Sequence, residues 1–123
     1  MKTVSLEKAK ALHEAGIIKE SSFYWIPDEY DTEDNYILVW SNDFEGGVWY
    51  KQRIPAPTTD ELLEVLPDDI SNIYTLSVCN GKYIARHEVI KSVLREKVSQ
   101  FENDNPADAL ADLLLELNKQ GLL

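Results

Sequence analysis

The 123-residue chain has one cysteine, one methionine and five glycines, and it lacks a basic excess: twelve Lys and Arg stand against twenty-two Asp and Glu. A lone Cys79 rules out an internal disulfide, and nothing else points to an oxidising compartment, so the cytoplasm is the expected location. His13, His87 and Cys79 show none of the close spacings that bring two ligands onto one turn, which argues against zinc. No segment approaches the ~18 apolar residues of a membrane span. The opening "MKTVSLEKAKALHEAG" interleaves charges where a signal peptide needs an unbroken apolar run.

The motifs of familiar chemistry are missing too. There is no G-x-S-x-G, no P-loop and no dinucleotide fingerprint. The acidic run "DEYDTEDN" invites a calcium reading, but it lacks the glycine and the bidentate glutamate that an EF-hand loop requires. Cys79 has Lys82 opposite it as a nearby cation, but no base or oxyanion hole accompanies it. The sequence therefore predicts a protein without catalytic activity, metal or cofactor.

What is present is acid, in one place. Between Asp28 and Asp69 twelve carboxylates face only Lys51 and Arg53, so this tract carries the whole formal net charge of −10. A surface of that sign repels nucleic acid and anionic membrane and favours either solubility or a basic partner.

Periodicity organises the rest into one domain, residues 1–123. A first helix is expected from about Ser5 to Ala15, with Leu6, Ala9 and Leu12 in one stripe and Gly16 to end it. The runs "SSFYWIP", "NYILVWS" and "GVWYKQRIP" read as an antiparallel meander. "APTTDELLEVLP" reads as a short helix capped by Thr58, with Glu61 as its reciprocal partner. Asn80-Gly81 predicts a two-residue hairpin pairing Cys79 with Lys82, Val78 with Tyr83, Leu76 with Ala85 and Tyr74 with His87, that apolar face turned to the core. Ile90, Val93, Leu94, Val98 and Phe101 recur at helical spacing, predicting a helix from Glu88 to Phe101 with Lys91, Arg95 and Lys97 outward. The last helix has Asn105 as cap, Pro106 at the first position and Gly121 beyond its end. The expected fold is α+β, an antiparallel sheet of about five strands packed with about four helices in the order αβββαββαα.

The segments "SLEKAKALHEAGI", "SSFYWIP", "APTTDELLEVLP" and "NPADALADLLLELNKQGLL", in that order, resemble a group of short uncharacterised proteins encoded by gut Bacteroidetes-type bacteria and by their phages and prophages. The likeness touches both ends and the middle helix. It implies a setting, that of an accessory protein of a mobile element, and carries over no activity, cofactor or site. In that group the last strand passes almost directly into the "PADAL" helix, whereas here the helical stretch from Glu88 to Phe101 stands between them.

Two features point outward. Aromatics crowd the meander, where Trp49 alternates away from Val48, Tyr50 and Ile54 and lies beside Lys51 and Arg53, a candidate docking point for a protein partner. In the last helix Ala107, Leu110, Leu113, Leu114 and Leu117 share a core-facing arc, but Leu115 and Ala111 fall outside it and Leu122 and Leu123 trail behind. These either meet the preceding helix or form a contact between chains, leaving monomer and weak homodimer both open. The functional expectation is a non-enzymatic interaction protein binding a protein partner through Trp49, Lys51, Arg53 and Leu115. The alternative is an acidic decoy occupying the groove of a host DNA-binding enzyme.

Overall fold

The computed structural model describes residues 2–27, 35–40 and 53–123. Among them the chain forms α1 (Leu6–Glu14), β1 (Phe23–Pro27), β2 (Tyr36–Trp40), β3 (Ile54–Pro55), α2 (Thr59–Val65), β4 (Asn72–Cys79), β5 (Lys82–Lys91), β6 (Leu94–Asn103) and α3 (Pro106–Lys119). Among the described residues the fold is α+β with two three-stranded antiparallel sheets and three helices. This corrects the expected single sheet of about five strands with four helices.

The first correction lies in the order of the first sheet, which is β2-β1-β3 rather than a meander. Ile54 pairs with Trp25 and Pro55 with Tyr24, on the far side of β1 from β2. Pro55 has no N–H to give to a ladder, so it suits an outer strand of only two residues. Most of the run expected as a third strand, Val48 to Gln52, lies outside the described residues.

The second correction is larger. Residues 88–101 are not a helix but the second half of β5 and most of β6, joined by a two-residue turn at Ser92 and Val93 with Lys91 opposite Leu94. Ser92 has φ +57°, whereas Val93 does not have a positive φ, as in a type II′ turn. The helical periodicity was accidental. Val93 is 94% exposed and Leu94 67%, and Ile90 and Val98 are exposed too; only Phe101 packs on the core. Of the five periodic residues, the β-branched Ile90 and Val98 lie in the strands and fit a pleated strand better than a helix, while Val93 lies in the turn. A register shift at His87/Glu88 leaves Val98 unpaired, so the alternation of β6 changes face midway and is hard to see in sequence. With that helix gone, β6 passes into α3 across Asp104 and Asn105 alone.

The β4–β5 hairpin follows the expected register residue for residue, from Cys79 with Lys82 to Tyr74 with His87. Asn80 and Gly81 both have positive φ, as a type I′ turn requires. Ala85 and His87 are buried on the core face, while Val78, at the far end of that face, is exposed.

Nine of the fourteen residues of α3 are buried, Ala111 among them, because both sheet and helices surround it. It packs on β5 and β6 on one side and meets α1 and α2 on others. One cluster joins Val4, Leu12, Leu62, Ala85, Leu110, Leu114 and Leu117, with Trp25, Ile54 and Phe101 against it. Most of the terminal leucines therefore serve the chain's own core. No helix among the described residues is long and apolar enough to cross a membrane.

Candidate functional site

The site is built by two helices that run side by side in the same direction. Ser5 caps α1 by accepting from the Lys8 N–H, and its own backbone N–H donates to Asp108 Oδ1 in the first turn of α3 at 2.7 Å. One turn further along, Lys8 Nζ pairs with Asp112. That hydrogen-bonded contact is the main cause holding the Lys8 pKa above its ordinary value. Asn105, the α3 cap, accepts from the Ala107 N–H and donates to the Thr3 carbonyl. The N-terminal ends of α1 and α3 are thus tied together, and because Lys8 and Asp112 stand six and seven residues before Glu14 and Lys119, the shorter α1 and the longer α3 end near one another.

Both end in the same way. At α1, Gly16 with φ +72° lets its N–H reach the His13 carbonyl while the Ile17 N–H reaches that of Leu12. At α3, Gly121 with φ +73° bonds Asn118 and the Leu122 N–H bonds Leu117. These are paired Schellman ends, which turn the next apolar residue, Ile17 or Leu122, back beside its helix. A side chain at either glycine would meet nothing within 4 Å, so the left-handed backbone, not crowding, requires glycine there.

Between the two ends lies a groove of about 390 Å³ lined by Ala15, Gly16, Ile17, Val65, Pro67 and Asn118, with Leu122 and Leu123. Val65 and Pro67 come from the end of α2. This helix is positioned by its capping box, in which Thr58 Oγ1 accepts from the Glu61 N–H and Glu61 Oε1 accepts from the Thr58 N–H. Glu61 also accepts from the Ser21 hydroxyl and the Ser22 N–H, tying α2 to the segment before β1. Leu122 and Leu123 keep 42% and 43% of their surface exposed. The volume lies within the range of side-chain and small-ligand pockets, roughly 300–1,000 Å³.

Of the residues singled out in the sequence, Trp49 and Lys51 lie outside the described residues. Arg53 is half-buried with its guanidinium 5.2 Å from the centre of the Tyr24 ring, a cation–π contact within the protein. Leu115 is half-buried against the hydrophobic cluster. Neither borders the groove. The sequence carries a signal for the groove in Gly16-Ile17 and Gly121-Leu122, each an apolar residue after a terminating glycine: Leu122 and Leu123, expected to meet the preceding helix or another chain, line the groove, while Ile17 in sequence marks only the end of the first helix.

His87 and Cys79 belong to opposite faces of the second sheet. Cys79 is exposed, and Lys82 beside it pairs with Asp104. His87, 1% exposed, stacks on Tyr74 at 4.8 Å between ring centroids, and its Nε2 lies 2.7 Å from Asn72 Oδ1. The Asn72 amide nitrogen donates to Asp69, so its oxygen accepts the histidine N–H. Nδ1 then carries a buried lone pair without a partner, as does Ser99 Oγ on the adjacent strand. Burial pushes the His87 pKa down and the Tyr74 pKa up. Among the described residues no group of three His, Cys, Asp or Glu could hold a metal ion. Comparison with protein families, with curated proteins and with solved structures finds no match to this chain.

Proposed function

We propose that the protein is a non-enzymatic interaction module that docks a protein partner in the groove at the ends of α1 and α3. The observation that carries this reading is the placement of Leu122 and Leu123. They follow a helix whose other leucines are consumed by the core, yet they stand nearly half exposed on the wall of an apolar groove. An apolar anchor seated there would contribute about 1.5–3 kcal/mol by burial, enough to make the groove the energetic centre of an interface. The proposed partner is a protein, in the cytoplasm, and the module works without a cofactor. Of the twelve carboxylates between Asp28 and Asp69, Glu61 is engaged in holding α2, and Asp69 in orienting Asn72.

The test is affinity capture from a bacterial lysate with the wild-type chain, with Leu122→Asp and with Val93→Asp, an exposed apolar position that does not line the groove. A partner held by wild type and Val93→Asp but lost with Leu122→Asp supports docking at the groove. Equal capture by all three places the interface elsewhere. A partner released by salt and competing with duplex DNA would favour the acidic decoy instead.

A further inference from the structure

We infer that the groove at the α1 and α3 ends takes a peptide segment carrying an apolar side chain next to a lysine or arginine, a specificity that rests on the docking reading above. The apolar half follows from the lining. Ile17, Val65, Pro67, Leu122 and Leu123 form the walls, and Asn118 supplies the one polar side chain among the lining residues.

The cationic half follows from helix direction. Because Ser5 meets Asp108 and Lys8 meets Asp112, α1 and α3 are parallel, and their dipoles add instead of cancelling. Each helix C-terminus carries roughly half a negative charge, and two such ends open onto one groove. The capping bonds engage the carbonyls of Ala11, Leu12 and His13 in α1 and of Glu116, Leu117 and Asn118 in α3. Among the described residues no backbone N–H reaches the carbonyls of Glu14 and Ala15, or those of Lys119 and Gln120. By helix geometry these last carbonyls point out of the C-terminal end, where a guanidinium or ammonium can donate to them.

The side chains nearest the lining in sequence reinforce this sign more than they oppose it. Glu14, Glu64 and Asp68 are each immediate neighbours of a lining residue and are exposed, against Lys119 alone among cations. A carboxylate-bearing peptide would meet two helix ends of its own sign.

The experiment uses the full chain and three blocked peptides: Gly-Leu-Leu-Arg-Gly, the same with Glu for Arg, and the same with Ser for both Leu. Titrations are followed by two-dimensional NMR of the protein amides. The inference predicts that the arginine peptide shifts the Gly16, Ile17 and Leu122 signals, binds about tenfold more tightly than the glutamate peptide, and loses this preference in high salt. The serine peptide should not bind. Equal binding of the arginine and glutamate peptides at these signals would overturn the cationic preference while leaving the docking groove intact. No shift at the groove with any peptide would overturn both. Groove signals that broaden with protein concentration alone would show a second copy as occupant and contradict a peptide partner.

Discussion

The Asp108 carboxylate accepts a hydrogen bond from the Ser5 N–H, joining the first turn of the last helix to the cap of the first across 103 positions of sequence. Asp108 is 8% exposed, so this N–H would be left without a partner if the carboxylate were removed. Asp108→Ala should cost about 2 kcal/mol in urea unfolding, the penalty of an unsatisfied buried donor. Asp108→Asn, whose side-chain oxygen can still accept, should cost less than half of that. Equal losses would assign the effect to something other than the Ser5 bond.

Glu61 joins three elements through one side chain, accepting from the Thr58 N–H, the Ser21 hydroxyl and the Ser22 N–H. Its loss removes half of the capping box and the tie to the segment before β1. Glu61→Ala should destabilise by about 1–2 kcal/mol, more than a cap alone in a typical exposed helix. A double-mutant cycle with Ser21→Ala should return a coupling above about 0.5 kcal/mol; additivity would show that the Ser21 contact contributes nothing.

His87 makes stability depend on pH in a defined direction. Its neutral form is favoured in the fold because burial opposes charge, so the folded pKa lies below the unfolded value near 6.5. Above that value neither state binds the proton and the contribution is fully present. Below it the unfolded imidazole protonates first, and stability falls as pH drops toward the folded pKa, by at most about 1.4 kcal/mol per pH unit. Denaturant midpoints from pH 7.5 to 5.5 should decline more steeply for wild type than for His87→Phe, which keeps the Tyr74 stack without a titrating ring. Parallel slopes would contradict this assignment.

Ser92 adopts φ +57° at the first central position of the β5–β6 turn, a left-handed conformation that a side chain disfavours. Ser92→Gly should stabilise by up to about 1 kcal/mol, since glycine removes the strain at some cost in unfolded-state entropy. A loss of stability, read from the thermal midpoint, would mean that the hydroxyl makes a contact outweighing the strain.

Local signals were the legible part of this fold. Thr58 with Glu61, Asn105 with Pro106 and Asn80-Gly81 each fix geometry within a few residues, and all three formed as expected. The β4–β5 register followed because a two-residue turn determines every later pair. Two things were not local. The strand identity of residues 88–101 was hidden by a bulge and by exposed β-branched residues that mimicked a helical stripe. The placement of β3 beside β1 depends on tertiary pairing that no turn specifies. The candidate groove fell between these cases: Gly16-Ile17 and Gly121-Leu122 were visible in sequence, but their convergence depends on Ser5 finding Asp108 and Lys8 finding Asp112 from the other end of the chain. Of the residues favoured from sequence, Leu115 stands outside the core-facing arc of the last helix yet is half-buried against the hydrophobic cluster, and Arg53, expected on the face of Trp49, lies over the Tyr24 ring.

The most direct test of docking at the paired helix ends is site-specific photo-crosslinking in cells, with a benzophenone amino acid placed at Leu123 on the groove and, separately, at Val78, an exposed position at the end of the β4–β5 hairpin. The groove predicts a discrete crosslinked protein partner from position 123, abolished by adding Ile17→Glu in a variant that still folds, and none from position 78. A partner trapped from position 78 and not from 123 would contradict it.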